Sequence, residues 1–214
     1  MSAVFGKTGK LSTGVGASWS WQGANPATAL QRAQALGATG QEVAHSLYDS
    51  TDTVTENWMA KDVVDLAIPA LGSVVDDYVI TDITIATSNT GFATLAMTGH
   101  KHTDGTPTMT AAMTGYTALI TAAFGALNLS GATGSSGVLN SSSLQATCQH
   151  GEAKGADGNN VAGENYNAMQ TCTQTYIDGG VMDTTWDVTS TSTAETNTGY
   201  QVRTITGTKT LALT

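Results

Sequence analysis

Tyr78-Val-Ile-Thr-Asp-Ile-Thr-Ile-Ala86, then Asn89-Thr90-Gly91, then Phe92 through Lys101 is the stretch whose reading decides the fold. The first run is β-branched almost throughout. The tripeptide offers a short loop whose glycine can take positive φ, and the second run returns, so the pattern predicts an antiparallel hairpin. The chain then writes this stretch again. Asn89-Thr90-Gly91-Phe92 recurs as Asn197-Thr198-Gly199-Tyr200, and Thr98-Gly99-x-Lys101 recurs as Thr206-Gly207-x-Lys209. Further upstream, Glu56-Asn57-Trp58 recurs as Glu164-Asn165-Tyr166. All three pairs lie 108 residues apart, a register that lays residues 1–106 over 109–214. Leu36-x-Ala38-Thr39-x-Gln41 and Leu144-x-Ala146-Thr147-x-Gln149 fall in step, as do Gly23-Ala24 and Gly131-Ala132. One fixed period across the chain indicates a tandem duplication. The expected units are residues 1–106 and 107–214, each of ordinary folding size.

Working outward, Val15 to Trp21 alternates and predicts a half-buried strand, with Trp19 and Trp21 answered by Leu127 and Leu129 at the same offset. An aromatic-for-aliphatic exchange on one face suits core positions. Asn25 to Gly37 reads as a helix: Asn25 can cap it, Pro26 suits its first turn and Gly37 can end it. Its counterpart, Thr133 to Ser143, has no helix-forming content and reads as loop or irregular strand. Gln41–Tyr48 and Gln145–Lys154 read as strands. Each runs into a polar turn, Asp49-Ser50-Thr51-Asp52 or Asp157-Gly158-Asn159-Asn160, and returns through the Glu-Asn-aromatic triplet. Met169–Ile177 alternates clearly, and Lys61–Pro69 is its more apolar equivalent. Trp186 to Lys209 repeats the Tyr78–Lys101 hairpin, and Thr103 to Pro107 is a linker between halves. The expectation is an all-β, mainly antiparallel protein: a duplicated β-sandwich or small barrel unit with at most one short helix each.

Composition narrows the function classes. Net charge is −9 with eight Lys+Arg and no basic cluster, so the electrostatic footprint of nucleic-acid binding is missing. Charged residues make up 12%, about half the usual share, and Thr, Ser, Asn and Gln stand in their place. Such a surface suits a protein that buries its exterior against copies of itself, and secreted β-proteins share it. Met1 to Lys10 has no apolar core of the signal-peptide kind, and no run is long enough to span a membrane. The expected place of synthesis is the cytoplasm. Cys148 and Cys172 both fall in the second half, nearly equidistant from Asp157–Asn160, so a hairpin there allows a disulfide. Buried thiols are the default expectation in a reducing compartment.

Chemistry is sparse. Lys7-Thr8-Gly9-Lys10 lacks phosphate-loop spacing. His100-Lys101-His102-x-Asp104 offers two imidazoles on one strand face, but Thr208 and Thr210 replace them in the second half and no third ligand follows. Asp49, Asp52, Glu56, Asp157 and Glu164 read as solvated turn residues, without calcium-loop spacing. His45 and His150 are out of step with the offset and are not an equivalent pair. The expectation is no enzyme, with no catalytic, cofactor-binding or metal residues and no cofactor.

A doubled β-unit with a bland acidic surface is most simply a building block, since duplication gives one chain two quasi-equivalent surfaces. In organisation and in its paired hairpins, Asn-Thr-Gly-Phe…Thr-Gly-x-Lys and Asn-Thr-Gly-Tyr…Thr-Gly-x-Lys, the chain resembles tailed-bacteriophage virion proteins. The resemblance is to the tail-tube class in particular. It implies stacked rings, here trimeric with pseudo-sixfold symmetry, around a DNA conduit, with the carboxylates facing the lumen. It also implies partners limited to the chain itself and other virion proteins, no sequence-specific nucleic-acid binding, no membrane, and a place in the virion after assembly in host cytoplasm. Two other readings stay open. One is a glycan-binding or adhesive module using Trp19, Trp21, Trp58 and Trp186; the other is a head-decoration or connector protein.

Overall fold

The computed structural model of the chain describes residues 9–101, 109–114, 116–119, 138–154, 160–180, 182, 185–195 and 199–214. It is almost wholly antiparallel β. In chain order the elements are β1 (Trp19–Leu36), β2 (Glu42–Ala60), β3 (Val74–Val75), β4 (Tyr78–Ser88) and β5 (Thr94–Lys101). A single helical turn, α1 (Tyr116–Leu119), leads to β6 (Val138–Lys154), β7 (Asn160–Ile177), β8 (Asp187–Glu195) and β9 (Gln201–Thr210). All strands belong to one sheet of order β1-β2-β5-β4-β6-β7-β9-β8, with β3 pairing β4 to one side.

That order contains the same four-stranded arrangement twice. β1-β2-β5-β4 maps onto β6-β7-β9-β8, and the two sets meet where β4 pairs antiparallel with β6. The correspondence reaches single residues. In the final hairpins Asp82 pairs Thr98 and Ser190 pairs Thr206; the register shift at Ile80/Asp82 recurs at Val188/Ser190. The bulged residue behaves alike in both: Thr81 Oγ1 donates to the Thr98 carbonyl at 3.4 Å and Thr189 Oγ1 to the Thr206 carbonyl at 3.2 Å. Each return strand also holds a glycine at a close approach. A Cβ on Gly99 would meet Tyr78 Cβ at 2.9 Å, and one on Gly207 would meet Trp186 Cβ at 3.0 Å. The offset throughout this hairpin is 108.

The first hairpins correspond at a different offset, 118. Trp21↔Trp58 matches Leu139↔Tyr176, Gln31↔Tyr48 matches Gln149↔Tyr166, and Leu36↔Glu42 matches Lys154↔Asn160. Three register shifts in β1, at Trp21/Gly23, Ala29/Gln31 and Ala35/Leu36, recur in β6 at Leu139/Ser141, Thr147/Gln149 and Ala153/Lys154. β2 and β7 carry the agreement into the next ladder: Thr55 Oγ1 lies 3.0 Å from Thr98 Oγ1, and Thr173 Oγ1 lies 3.1 Å from Thr206 Oγ1. The Glu-Asn-aromatic triplets therefore do not overlie one another. Trp58 corresponds to Tyr176 and Glu56 to Gln174.

Several expectations change accordingly. Asn25 to Gly37 is strand, not helix. Its Ala- and Gln-rich composition favours a helix only weakly, and a ladder with β2 along its length, bulged at Ala29/Gln31 and Ala35/Leu36, overrides that preference. Pro26 sits on the outermost strand, the place in a sheet that tolerates a missing N–H. The first turn lies at Gly37–Gln41, closed by Gly37 N–H to the Gln41 carbonyl at 2.7 Å, with Gly40 at φ 76°. β2 then runs straight through Asp49–Asp52, so the polar stretch there belongs to a continuous strand paired with β1 and not to a turn. In the second half the predicted hairpin stands, with Glu164 and Asn165 pairing Gly151 and His150, while residues 155–159 lie outside the described residues. Lys61–Pro69 is irregular, not strand: it hydrogen-bonds to the Gly16–Ser18 segment and tucks Leu66 into the core. The strand predicted from Val15 begins at Trp19. The paired Tyr78–Ala86 and Phe92–Lys101 strands are as expected; of their loop glycines, Gly199 takes positive φ (80°) and Gly91 does not. Thr103–Pro107, Leu127, Leu129 and Gly131–Gly137 lie outside the described residues.

One face of the sheet is apolar across both repeats. A lateral row runs Trp21, Trp58, Leu95, Ile85, Leu144, Cys172, Gly207, crossing from β1 to β9. Leu11, Leu66, Leu71, Ala111 and Met113 from the irregular segments cover it and form one core with it. The segment around Ala111 ties the molecule together. Leu71 and Ala111 form a bridge, and Thr110 exchanges two backbone hydrogen bonds with Thr214.

Candidate assembly surface

The opposite face is made mainly of hydroxyl and other uncharged side chains, because strand alternation places every second residue there. One row reads Ser190, Thr206, Thr173, Ser143, Ala86, Thr94, Met59, Ser20 across all eight strands. The next reads Thr208, Thr171, Gln145, Thr84, Ala96, Asn57. These rows contain no Lys or Arg. Neighbouring threonines bond directly, as Thr175 Oγ1 does to Thr204 Oγ1 at 3.3 Å. The neighbouring carboxylate Asp82 is held by Gln145 Nε2 at 2.5 Å and Thr84 Oγ1 at 3.1 Å. A shallow depression of about 360 Å³ lies on this face, between Ala86, Phe92, Ser141 and Thr175. It is hydroxyl-lined and has no titratable group.

Among the described residues neither outer edge of the sheet pairs with a further strand. Every residue of β8 is exposed, and so is the β1 segment from Ala24 to Ala29. Burial explains the chemistry of each copy. Ile83 and Ile85 of β4 are fully covered, whereas the corresponding β8 residues are Thr191 and Thr193. Sequence reading had no means of ranking strands by position in the sheet, so it missed this edge. The usable signal was the replacement of alternating Ile by Thr in a strand otherwise matched residue for residue.

The candidate chemical groups take structural places. Trp19 and Trp58 are buried, and Trp21 and Trp186 pack against the core, so the four tryptophans do not form an exposed stacking platform. Lys209 Nζ lies 4.5 Å from the centre of the Trp186 ring. His102, Asp104, Asp157 and residues up to Thr8 lie outside the described residues. His100 instead faces the second repeat, where its Nε2 and that of His150 lie 3.8 and 3.7 Å from Glu152 Oε1. Asn165, fully buried, ties this seam to the first repeat by donating to the Gly72 carbonyl at 3.1 Å, and it also donates to the Met109 carbonyl at 2.6 Å. Among the described residues no group of three or more His, Cys, Asp or Glu is arranged to hold a metal ion, and no helix is long and apolar enough to cross a membrane.

Glu56 is the surprise, since a turn carboxylate was expected and the side chain is wholly buried. Its Oε1 accepts the Lys10 backbone N–H at 2.5 Å. Burial raises its pKa, opposed by backbone N–H groups of Lys10 and Leu11. Cys148 and Cys172 are free and buried, their thiols pushed up to about 11 chiefly by desolvation. They do not face each other: Cys172 pairs Leu144, and Cys148 falls in the bulge between Thr147 and Gln149.

Comparison of the chain with protein-family models, with curated proteins and with solved structures finds no match.

Proposed function

We propose that this protein is a structural building block of a phage virion, the subunit of a tail tube, arisen by tandem duplication and assembled as stacked rings. Three chains supply six four-stranded units per ring. The observation that carries the reading is the repeated arrangement itself: β1-β2-β5-β4 and β6-β7-β9-β8 are joined edge to edge by β4 and β6, with neither outer edge paired to a further strand among the described residues. A unit that already joins its twin through sheet edges is built to be continued by further copies. The hydroxyl face gives the assembly a wall suited to DNA passage. Phosphates are gripped by cations, and the rows of this face carry none. At −9 per chain the net charge repels the same polyanion.

Light scattering and negative-stain microscopy of the purified protein over a wide concentration range test the reading. Rings of three chains with six lobes, or striated tubes, are the expected result. A particle that stays at 21.9 kDa at every concentration overturns it.

A further inference from the structure

The chain contains a template for the contact between its copies. β4 and β6 meet inside the molecule from Asp82↔Thr147 to Ser88↔Ser141. Under the two offsets β4 corresponds to β8 and β6 to β1, and those two strands end the sheet on opposite sides. We propose that β8 of one copy adds antiparallel to β1 of the next in the register that β4 and β6 hold within the chain. The inference rests on the assembly reading above and names its partner and its residues.

The mapping gives the ladder position by position. Thr84↔Gln145 becomes Ser192 against Ala27 of the next copy, and Asp82↔Thr147 becomes Ser190 against its Ala29. Thr191 lies against Thr28, and Thr193 against Pro26. Nothing else in the described chain covers either segment: all of β8 and Ala24–Ala29 are exposed. The shapes also agree, because β1 carries its register shifts at the positions where β6 carries them, and β8 repeats the bulge of β4. Bulges set local twist and bend, so the two free edges carry the curvature of the two strands already joined. Pro26 removes one N–H from the new ladder, leaving it weaker than its internal template.

Cysteine cross-linking tests the register, with the two native thiols kept silent by burial. The internal pair T84C/Q145C is the geometric control and closes within one chain. Mixing A27C with S192C under mild oxidation gives a covalent dimer, and neither variant alone does. The double variant A27C/S192C gives a ladder of covalent oligomers. Both positions are exposed, so both variants fold, which thermal unfolding verifies. If rings form and T84C/Q145C closes, but S192C joins itself or A35C in place of A27C, the joint is overturned while the assembly reading stands. A monomer at all concentrations overturns both.

Discussion

Ile83→Ala and Thr191→Ala change the same position in the two repeats, and their costs should differ several-fold. Ile83 is fully buried at the centre of the sheet, paired to Met97 on one side and Ala146 on the other. Truncation removes three buried carbons, worth about 2.4 kcal/mol by transfer alone at roughly 0.8 kcal/mol per methylene. The cavity left between β5 and β6 adds to this, for about 3–4 kcal/mol in total. At roughly 2–4 °C per kcal/mol for a chain of this length, the melting temperature falls by about 6–16 °C. Thr191 is exposed on an edge strand and pairs only Ile205. Its truncation stays within about 0.5 kcal/mol, or about 2 °C. Thermal unfolding by far-ultraviolet circular dichroism measures both, at a protein concentration low enough that assembly adds no stability. Equal losses would refute the reasoning, because they would mean that β8 is covered as β4 is.

Two further outcomes follow from buried titratable groups. The folded pKa of Glu56 is raised, so the folded chain holds that proton more tightly than the unfolded one. Its contribution to stability is fully present below the ordinary carboxylate range and is lost as pH rises through the folded value. Glu56→Gln, which installs the residue found at the corresponding Gln174, should melt higher than the parent at pH 7 and converge with it near about pH 4; parallel curves across that range would sink the assignment. Cys148 and Cys172, with thiols at about 11, should react with a maleimide at pH 8 at least about a hundredfold more slowly than a free cysteine, and both should react at once in guanidinium. Fast labelling of either in the native protein would contradict the burial assigned to it.

The final hairpin of each repeat was legible because its signals are local: β-branched alternation, an Asn-Thr-Gly loop and a glycine under an aromatic. The recurrence of the pattern was legible for the same segments. What an ungapped comparison cannot represent is a change of offset from 118 to 108 along the chain. The longer irregular segment after β2, around Lys61–Gly72, has no counterpart of equal length after β7, so the first hairpins drift out of step. Their true register is written in the sequence. Gly37-Ala38-x-Gly40 lies over Gly155-Ala156-x-Gly158, Val43-Ala44 over Val161-Ala162, Tyr48 over Tyr166 and Thr53-x-Thr55 over Thr171-x-Thr173. With that alignment Asn25–Leu36 falls on Ser143–Lys154, which is strand in β6, and the helix reading loses its ground. The buried Glu56 was illegible because burial follows from the covering segment at Lys10–Leu11, which no periodicity announces.

The difference between β4 and β8 bears on how an edge can be both free and adhesive. A free edge with alternating isoleucines would present backbone donors and an apolar face together, the combination that leads to uncontrolled association. Thr191 and Thr193 keep the β-branched shape that favours a strand while removing the apolar face. The joint made by β4 and β6 needs no such restraint: it forms within one chain, where the connection supplies the encounter and Ile83, Ile85 and Leu144 bury together. The joint proposed for β8 and β1 must form between chains and only at the right time. Weak side-chain contact, one donor missing at Pro26 and main-chain hydrogen bonds in a preset register suit that requirement. Many such joints closing on one another would supply collectively the stability that each lacks alone.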